Sequence, residues 1–182
     1  MNGRIDTLEG LFRIKMPLPF PLRTINAYLL PEAEGGYTLV DPGLNTPEAI
    51  EAWLTVMQSL KIGFGNIRRI VLTHHHPDHY GLAGWFQERS GAPVYLSEMG
   101  RLQAQRLWGD DPILTEAIYR LFQKHGMDES HLAELIPHLN GFVPMVSPHP
   151  EVTVLCDGDT ITMGGRSWLA LETPGHASGH LV

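Results

Sequence analysis

Residues Thr73 to Gly81 read Thr-His-His-His-Pro-Asp-His-Tyr-Gly and follow directly on the apolar run Ile70-Val71-Leu72. Four histidines and an aspartate fall within six residues here. No other stretch restricts the chain as strongly. Imidazole nitrogens and a carboxylate oxygen are the donors that zinc and similar borderline divalent metals prefer. In an extended segment residues two apart point the same way, so His74 and His76 can converge on one ion. Pro77 lacks a backbone donor and turns the chain, which aims Asp78 and His79 toward a second position beside the first. A polar loop with a surface cluster of histidines is the competing reading.

What precedes the stretch tells how it is held. Thr24 to Leu30 and Tyr37 to Val40 read as paired strands joined through Gly35-Gly36. Thr46-Pro47 is a helix start, a hydroxyl cap followed by proline at the first helical position. Ile50, Trp53, Leu54, Met57 and Leu60 then fall on one predicted helical face. Ile67 to Thr73 is the next strand, β-branched and suited to burial. This β-α-β order places the histidine-rich turn at the carboxyl end of a strand, where open α/β sheets carry their sites. At the N-terminus, Leu8 to Met16 reads as one strand. Three prolines from Pro17 to Pro21 then predict a stiff apolar loop that packs on the core or borders a pocket.

Behind the stretch, Tyr80 to Ser90 reads as a helix stopped by Gly91, with Leu82, Trp85 and Phe86 inward. Its N-terminus would face the metal positions. Pro93 to Leu96 is a short strand. Three helices follow: Ser97 to Leu107, one capped by Asp111-Pro112 and running to His125, and Asp128 to about Leu139. Ile113, Leu114, Ala117, Ile118, Leu121 and Phe122 give the middle one an apolar face. Residues 97–140 are thus a helical insertion that covers the site. His125, His131 and His138 lack ligand spacing and read as exposed helix residues, and His149 has no assigned role. Strands return at Val152 to Cys156, Thr160 to Met163 and Trp168 to Glu172. The lone cysteine, Cys156, reads as a small buried hydrophobe and excludes an internal disulfide framework.

The pattern His74-x-His76-x-Asp78-His79 resembles the signature of the metallo-β-lactamase superfamily. The closing run Thr173-Pro174-Gly175-His176-Ala177-Ser178-Gly179-His180 is similar to the family's second motif. The resemblance implies a metal site built from His74, His76 and His176, with Asp78 and His79 at a second metal. It places Asp41, in Val40-Asp41-Pro42-Gly43, behind the ligands as an orienting residue, with His180 beside it in a supporting or structural role. The implied fold is α/β, an αββα sandwich with two sheets face to face. The implied cofactor is zinc, two ions in the complete protein, with iron or manganese as alternatives. The implied activity is hydrolysis of an ester, thioester or lactone by activated hydroxide, with Asp78 as the catalytic carboxylate. Glyoxalase II-like thioester hydrolases stand first and lactonases close behind. An iron-dependent sulfur dioxygenase and a catalytically silent metal-binding fragment are the other readings.

The family continues after this histidine into a segment with a bridging aspartate and a further histidine, and only two residues follow His180. The expectation is one domain over residues 1–182, the N-terminal portion of a longer fold, with apolar surface left open to dimerisation or strand exchange. The formal charge of -7, with Lys and Arg scattered, disfavours nucleic acid and leaves a small molecule as the expected substrate. No run of membrane-spanning length is present, and Met1 to Gly10 lacks the apolar core of a signal peptide. A cytoplasmic enzyme is the expectation.

Overall fold

The computed structural model describes residues 4–109 and 113–182. Seven strands form one mixed sheet in sequence order: β1 (Ile5–Leu8), β2 (Leu11–Pro17), β3 (Thr24–Pro31), β4 (Tyr37–Val40), β5 (Ile67–Val71), β6 (Val94–Leu96) and β7 (Val152–Val154). The first four pair antiparallel and β4 through β7 pair parallel. The N-terminal strand expected over Leu8 to Met16 is instead the hairpin β1–β2. Leu8 faces Leu11 in the register, and Glu9 and Gly10 between them both take positive φ, 46° and 90°. That is the two-residue turn whose twist suits a hairpin, and the apolar residues on either side of it hide the turn in the sequence.

Helix α1 (Pro47–Leu60) makes the crossover from β4 to β5. Thr46 Oγ1 accepts from Ala49 N at 3.2 Å, Pro47 opens the helix, and Lys61 ends it in the left-handed region. The inward face is Ala49, Ala52, Trp53, Val56 and Met57. Leu54, expected inside, is 48% exposed. Ala49, Ala52 and Val56 join Trp53 and Met57 on the packing face, which is rotated from the predicted one so that Leu54 turns outward.

The expected single helix after the histidines divides in two: α2 (Pro77–Tyr80) and α3 (Ala83–Ser90). Pro77 starts α2 at its first position, so Asp78 and His79 lie in a helical turn rather than a loop. Gly91 stops α3 in the left-handed conformation at φ 68°. Leu82, Trp85 and Phe86 are buried as expected, and Phe86 stands edge-on to Trp53 at 5.1 Å. After β6 come α4 (Glu98–Trp108), α5 (Ile113–Lys124) and α6 (Glu129–Asn140). The Asp111-Pro112 cap lies outside the described residues. Helix α5 packs on α4 and α6, and its Leu121 and Phe122, expected on an apolar face, stand exposed.

The seven-stranded sheet is covered on both faces. Ile14, Met16, Ile70 and Leu72 pack with Trp53 and Phe86 in the helical layer. Leu30 and Val71 pack with Ile161, Met163 and Ala170 under a second, two-stranded sheet, β8 (Thr160–Met163) and β9 (Arg166–Leu169). The alternation of Ile70, Val71 and Leu72 between the two cores is the period-two pattern of a strand buried on both faces. The arrangement is mixed α/β, with the small sheet packed on the face opposite the helical layer. Trp168, Leu169, Leu171 and Val182 remain exposed around the small sheet. Cys156 is exposed, not buried. Strand β7 ends at Val154, and Cys156 sits in a turn where its amide donates to Asp159 Oδ2 at 2.8 Å.

Candidate metal centre

The carboxyl end of β5 delivers Thr73 to His76, and α2 carries Asp78 and His79 directly after. The third histidine comes from the opposite side of the chain. Leu171 and Val182 exchange backbone hydrogen bonds, and Thr173 N donates to His180 O at 2.8 Å, closing a loop with His176 in it. Leu181 N donates to Thr73 O at 2.9 Å and ties this loop to the residue before His74. One ring nitrogen each of His74, His76 and His176 thereby lies within 4.8 Å of the others.

Three features of this cluster fit a metal ion. His76 Nδ1 and His176 Nε2 lie 3.1 Å apart, close to the about 3.3 Å edge of a tetrahedron with metal–nitrogen bonds of about 2.0–2.1 Å. His74 is 3% exposed, and its Nε2 is buried with no hydrogen-bond partner among the described residues. A buried lone pair without a partner is costly unless something accepts it. The ring protonation also agrees. Thr73 Oγ1 donates to Asp41 Oδ2 at 2.7 Å, so toward His74 Nδ1, 2.9 Å away, that oxygen acts as acceptor. The proton of His74 is thus held on Nδ1 and the lone pair on Nε2.

Asp41 does the same for His79, accepting from its Nδ1 at 2.9 Å and taking the Thr73 amide at 2.8 Å. It is 4% exposed and sits at φ 50°, a left-handed conformation that the three hydrogen bonds hold in place. Asp78 Oδ2 lies 3.6 Å from His79 Nε2. Both residues stand beside the three-histidine group rather than in it. The His79 ring centroid is 4.2 Å from that of His74, and His180 lies 5.0 Å from His74 and 6.1 Å from His176.

The electrostatics favour the neutral form of His74 and His76. Burial pushes the His74 pKa down to about 2, and the facing rings of His79, His76, His180 and His176 add to this. Burial and His176 likewise lower His76. Burial also acts against a charge on His79, but the Asp41 hydrogen bond and the charges of Asp41 and Asp78 outweigh it, leaving that pKa raised. Neutral imidazoles are the form that binds metal.

Several participants escape a reading of the sequence. Thr73 opens the motif but announces no role until its hydroxyl is seen between Asp41 and His74. His75, between two predicted ligands, stays out of the three-histidine group. It is 4% exposed, its Nδ1 lacks a partner among the described residues, and burial first, then His76 and His176, lowers its pKa to about 4. His149, without an expected role, donates from Nε2 to Trp108 O at 2.8 Å and accepts from Tyr80 Oη at 3.2 Å. It links α4 to α2. His125, His131 and His138 are exposed, as expected.

Comparison with known proteins points the same way. The profile of the metallo-beta-lactamase superfamily matches residues 21–182. The probable metallo-hydrolase YqjP of Bacillus subtilis is 28% identical over 97% of this chain and 53% of its own length. A hydroxyacylglutathione hydrolase of Pseudomonas aeruginosa is 28% identical over 75% of the chain and 46% of its own. A metallo-beta-lactamase family protein of Thermus thermophilus superposes with a TM-score of 0.80 at 37% identity, covering 96% of this chain and 55% of that one. The chain spans about half the length of the relatives it matches. With the histidine cluster at the end of β5 and the profile over most of its residues, the chain belongs to the metallo-beta-lactamase superfamily.

Proposed function

We propose that this chain holds the metal of a hydrolase acting on a small ester, thioester or lactone, in a cytoplasmic setting. One observation carries the reading: three imidazole nitrogens from two distant segments meet within 4.8 Å, one of them buried and unpartnered among the described residues. Zinc is the metal whose preferences suit these donors, and when bound it supplies a Lewis acid that acidifies water and polarises a carbonyl. His74, His76 and His176 hold it. Thr73 and Asp41 hold a ring proton on Nδ1 of His74 and of His79, which leaves the buried His74 Nε2 with its lone pair free. Asp78, with His79, borders a second position. From there its carboxylate orients the attacking oxygen and takes its proton toward the leaving group. The α4–α6 segment, read as an insertion spanning residues 97–140, forms the wall against which the substrate is selected.

Among substrates a thioester of the hydroxyacylglutathione type ranks first, supported by the similarity to a hydroxyacylglutathione hydrolase. A second reading, a metal-binding unit without turnover, is favoured by the position of Asp78 and His79 outside the three-histidine group. The deciding experiment measures zinc content by elemental analysis, then assays the zinc-loaded chain on a thioester and lactone panel. Hydrolysis that disappears in His76→Ala and Asp78→Ala supports the proposal. Turnover that survives both substitutions ends it. Zinc bound with no turnover selects the second reading.

A further inference from the structure

Ser97 caps α4 and is completely buried. Its Oγ accepts from Gly100 N at 3.0 Å, the ordinary work of a cap. The hydroxyl proton is used as well: Oγ donates to Gly179 O at 2.5 Å. Gly179 lies between His176 and His180, in the loop that carries the third histidine. Its φ is +69°, and a Cβ there would fall 2.5 Å from Ser97 Oγ and 2.7 Å from Met99 Cβ. The loop therefore rests directly on the first turn of α4, while Leu181 ties its other side to Thr73. Capping alone does not call for serine. Aspartate and asparagine cap equally well, but an ionised carboxylate has no proton to give Gly179. The serine hydroxyl both caps the helix and grips the loop, which an ionised carboxylate cannot do.

We propose that Ser97 is a positioning residue for the metal centre: through Gly179 it sets the loop that presents His176, and it couples metal occupancy to the order of the α4 start. The proposal rests on the reading of His74, His76 and His176 as metal ligands. Coupling of this kind is reciprocal. A metal held by His176 steadies the Gly179 carbonyl and with it the Ser97 hydroxyl, so the Gly100 and Arg101 amides, bonded to Ser97 Oγ and O, open less often.

The test titrates the chain with Zn²⁺ alone against a chromophoric chelator and follows amide hydrogen exchange with and without the ion. In the unmodified chain, Zn²⁺ slows exchange at Gly100 and Arg101. Ser97→Ala weakens zinc binding by about tenfold or more, in the range found for groups that orient metal ligands, and abolishes that protection. Ser97→Thr, which keeps the hydroxyl, retains the protection. Asp128→Ala, which removes the exposed cap of α6, leaves zinc binding unchanged and controls for helix capping in general. His176→Ala separates the two levels. If it binds zinc like the unmodified chain, the ligand assignment falls and this proposal with it. If it loses zinc while Ser97→Ala does not, the centre stands and the role of Ser97 is overturned. Should Ser97→Ala fail to fold, the exchange comparison on the unmodified chain decides, and amides at Gly100 and Arg101 that ignore Zn²⁺ overturn the coupling.

Discussion

Asp41 Oδ2 accepts a hydrogen bond from His79 Nδ1 at 2.9 Å, and the same oxygen takes the hydroxyl proton of Thr73 at 2.7 Å. One carboxylate oxygen therefore fixes the ring proton of His79 directly and that of His74 through Thr73. Such partners hold a metal-binding imidazole in its useful tautomer and orientation, and losing one typically costs about 10–100-fold in metal affinity. Asp41→Asn keeps the shape but offers one acceptor oxygen where two are used. Zinc affinity is expected to fall by that factor, and the fold to lose about 1–3 kcal/mol from the buried charged hydrogen bonds. Zinc titration and urea unfolding of the two chains measure both, and an unchanged affinity would remove Asp41 from the site.

The Thr73 link makes a sharper prediction because the substitution is nearly isosteric. Thr73→Val removes the hydroxyl that accepts from His74 Nδ1, while the Thr73 amide still reaches Asp41 Oδ1. His74 is then free to carry its proton on Nε2, the atom facing the cluster. Zinc binding is expected to weaken by about tenfold, with Thr73→Ser close to the unmodified chain. Equal affinities for the valine and serine variants would show that the hydroxyl does not set the tautomer.

How much of this is legible in the sequence depends on whether one short segment carries the signal. The His74-x-His76-x-Asp78-His79 run is local, and the parallel strand–helix–strand order around it follows from Thr46-Pro47 and the apolar spacing on either side. The Glu9-Gly10 turn is not legible, because Leu8 and Leu11 flank it and the apolar pattern runs through. The inward face of α1 departs from expectation at Leu54, since the face that packs takes in Ala49, Ala52 and Val56 beside Trp53 and Met57. Thr73, Ser97 and His149 act through contacts spanning 32, 82 and 69 residues respectively. No periodicity reports a hydroxyl's second partner. Cys156 illustrates the reverse case, an apolar-looking strand end that turns out to be an exposed corner because Asp159 captures its amide.

The packing beneath α3 allows almost no substitution at one point. A Cβ on Gly84 would stand 1.8 Å from Pro148 O. The neighbouring chain is fixed from several sides: Asn45 Nδ2 donates to Ser147 O at 2.5 Å, and Gln87 exchanges two hydrogen bonds with Glu151. With backbone rather than a flexible side chain in the way, Gly84→Ala is expected to destabilise by at least about 1–3 kcal/mol. The lowered unfolding midpoint in urea would show it. Stability equal to the unmodified chain would mean that the Pro148 segment moves freely, contrary to its hydrogen bonding.

Acid should weaken the metal-free fold through the histidines themselves. His74, at about 2, and His75, at about 4, titrate far below the ordinary imidazole value of 6.5, chiefly because burial opposes their charge, and His76 is shifted the same way. Below about pH 6.5 the unfolded chain takes up protons at these positions and the folded chain does not. Stability therefore rises with pH across this window and is lost as pH falls from about 6.5 toward the folded values. His79 works in the opposite sense: its raised pKa stabilises the fold below the ordinary value of 6.5 and offsets part of the loss. With three rings of the motif lowered and one raised, the thermal midpoint of the metal-free chain is expected to drop between about pH 7 and about pH 5. On the proposed reading zinc takes the rings in their neutral form, so saturating zinc should raise the midpoint strongly at neutral pH, by about 2.7 kcal/mol in stability at about a hundred times its Kd, and progressively less in acid. Thermal melts over this pH range with and without zinc test both slopes. A midpoint that stays level in the metal-free chain, or a zinc effect that does not shrink with acid, would mean that these imidazoles are not the groups that bury their neutrality in the fold.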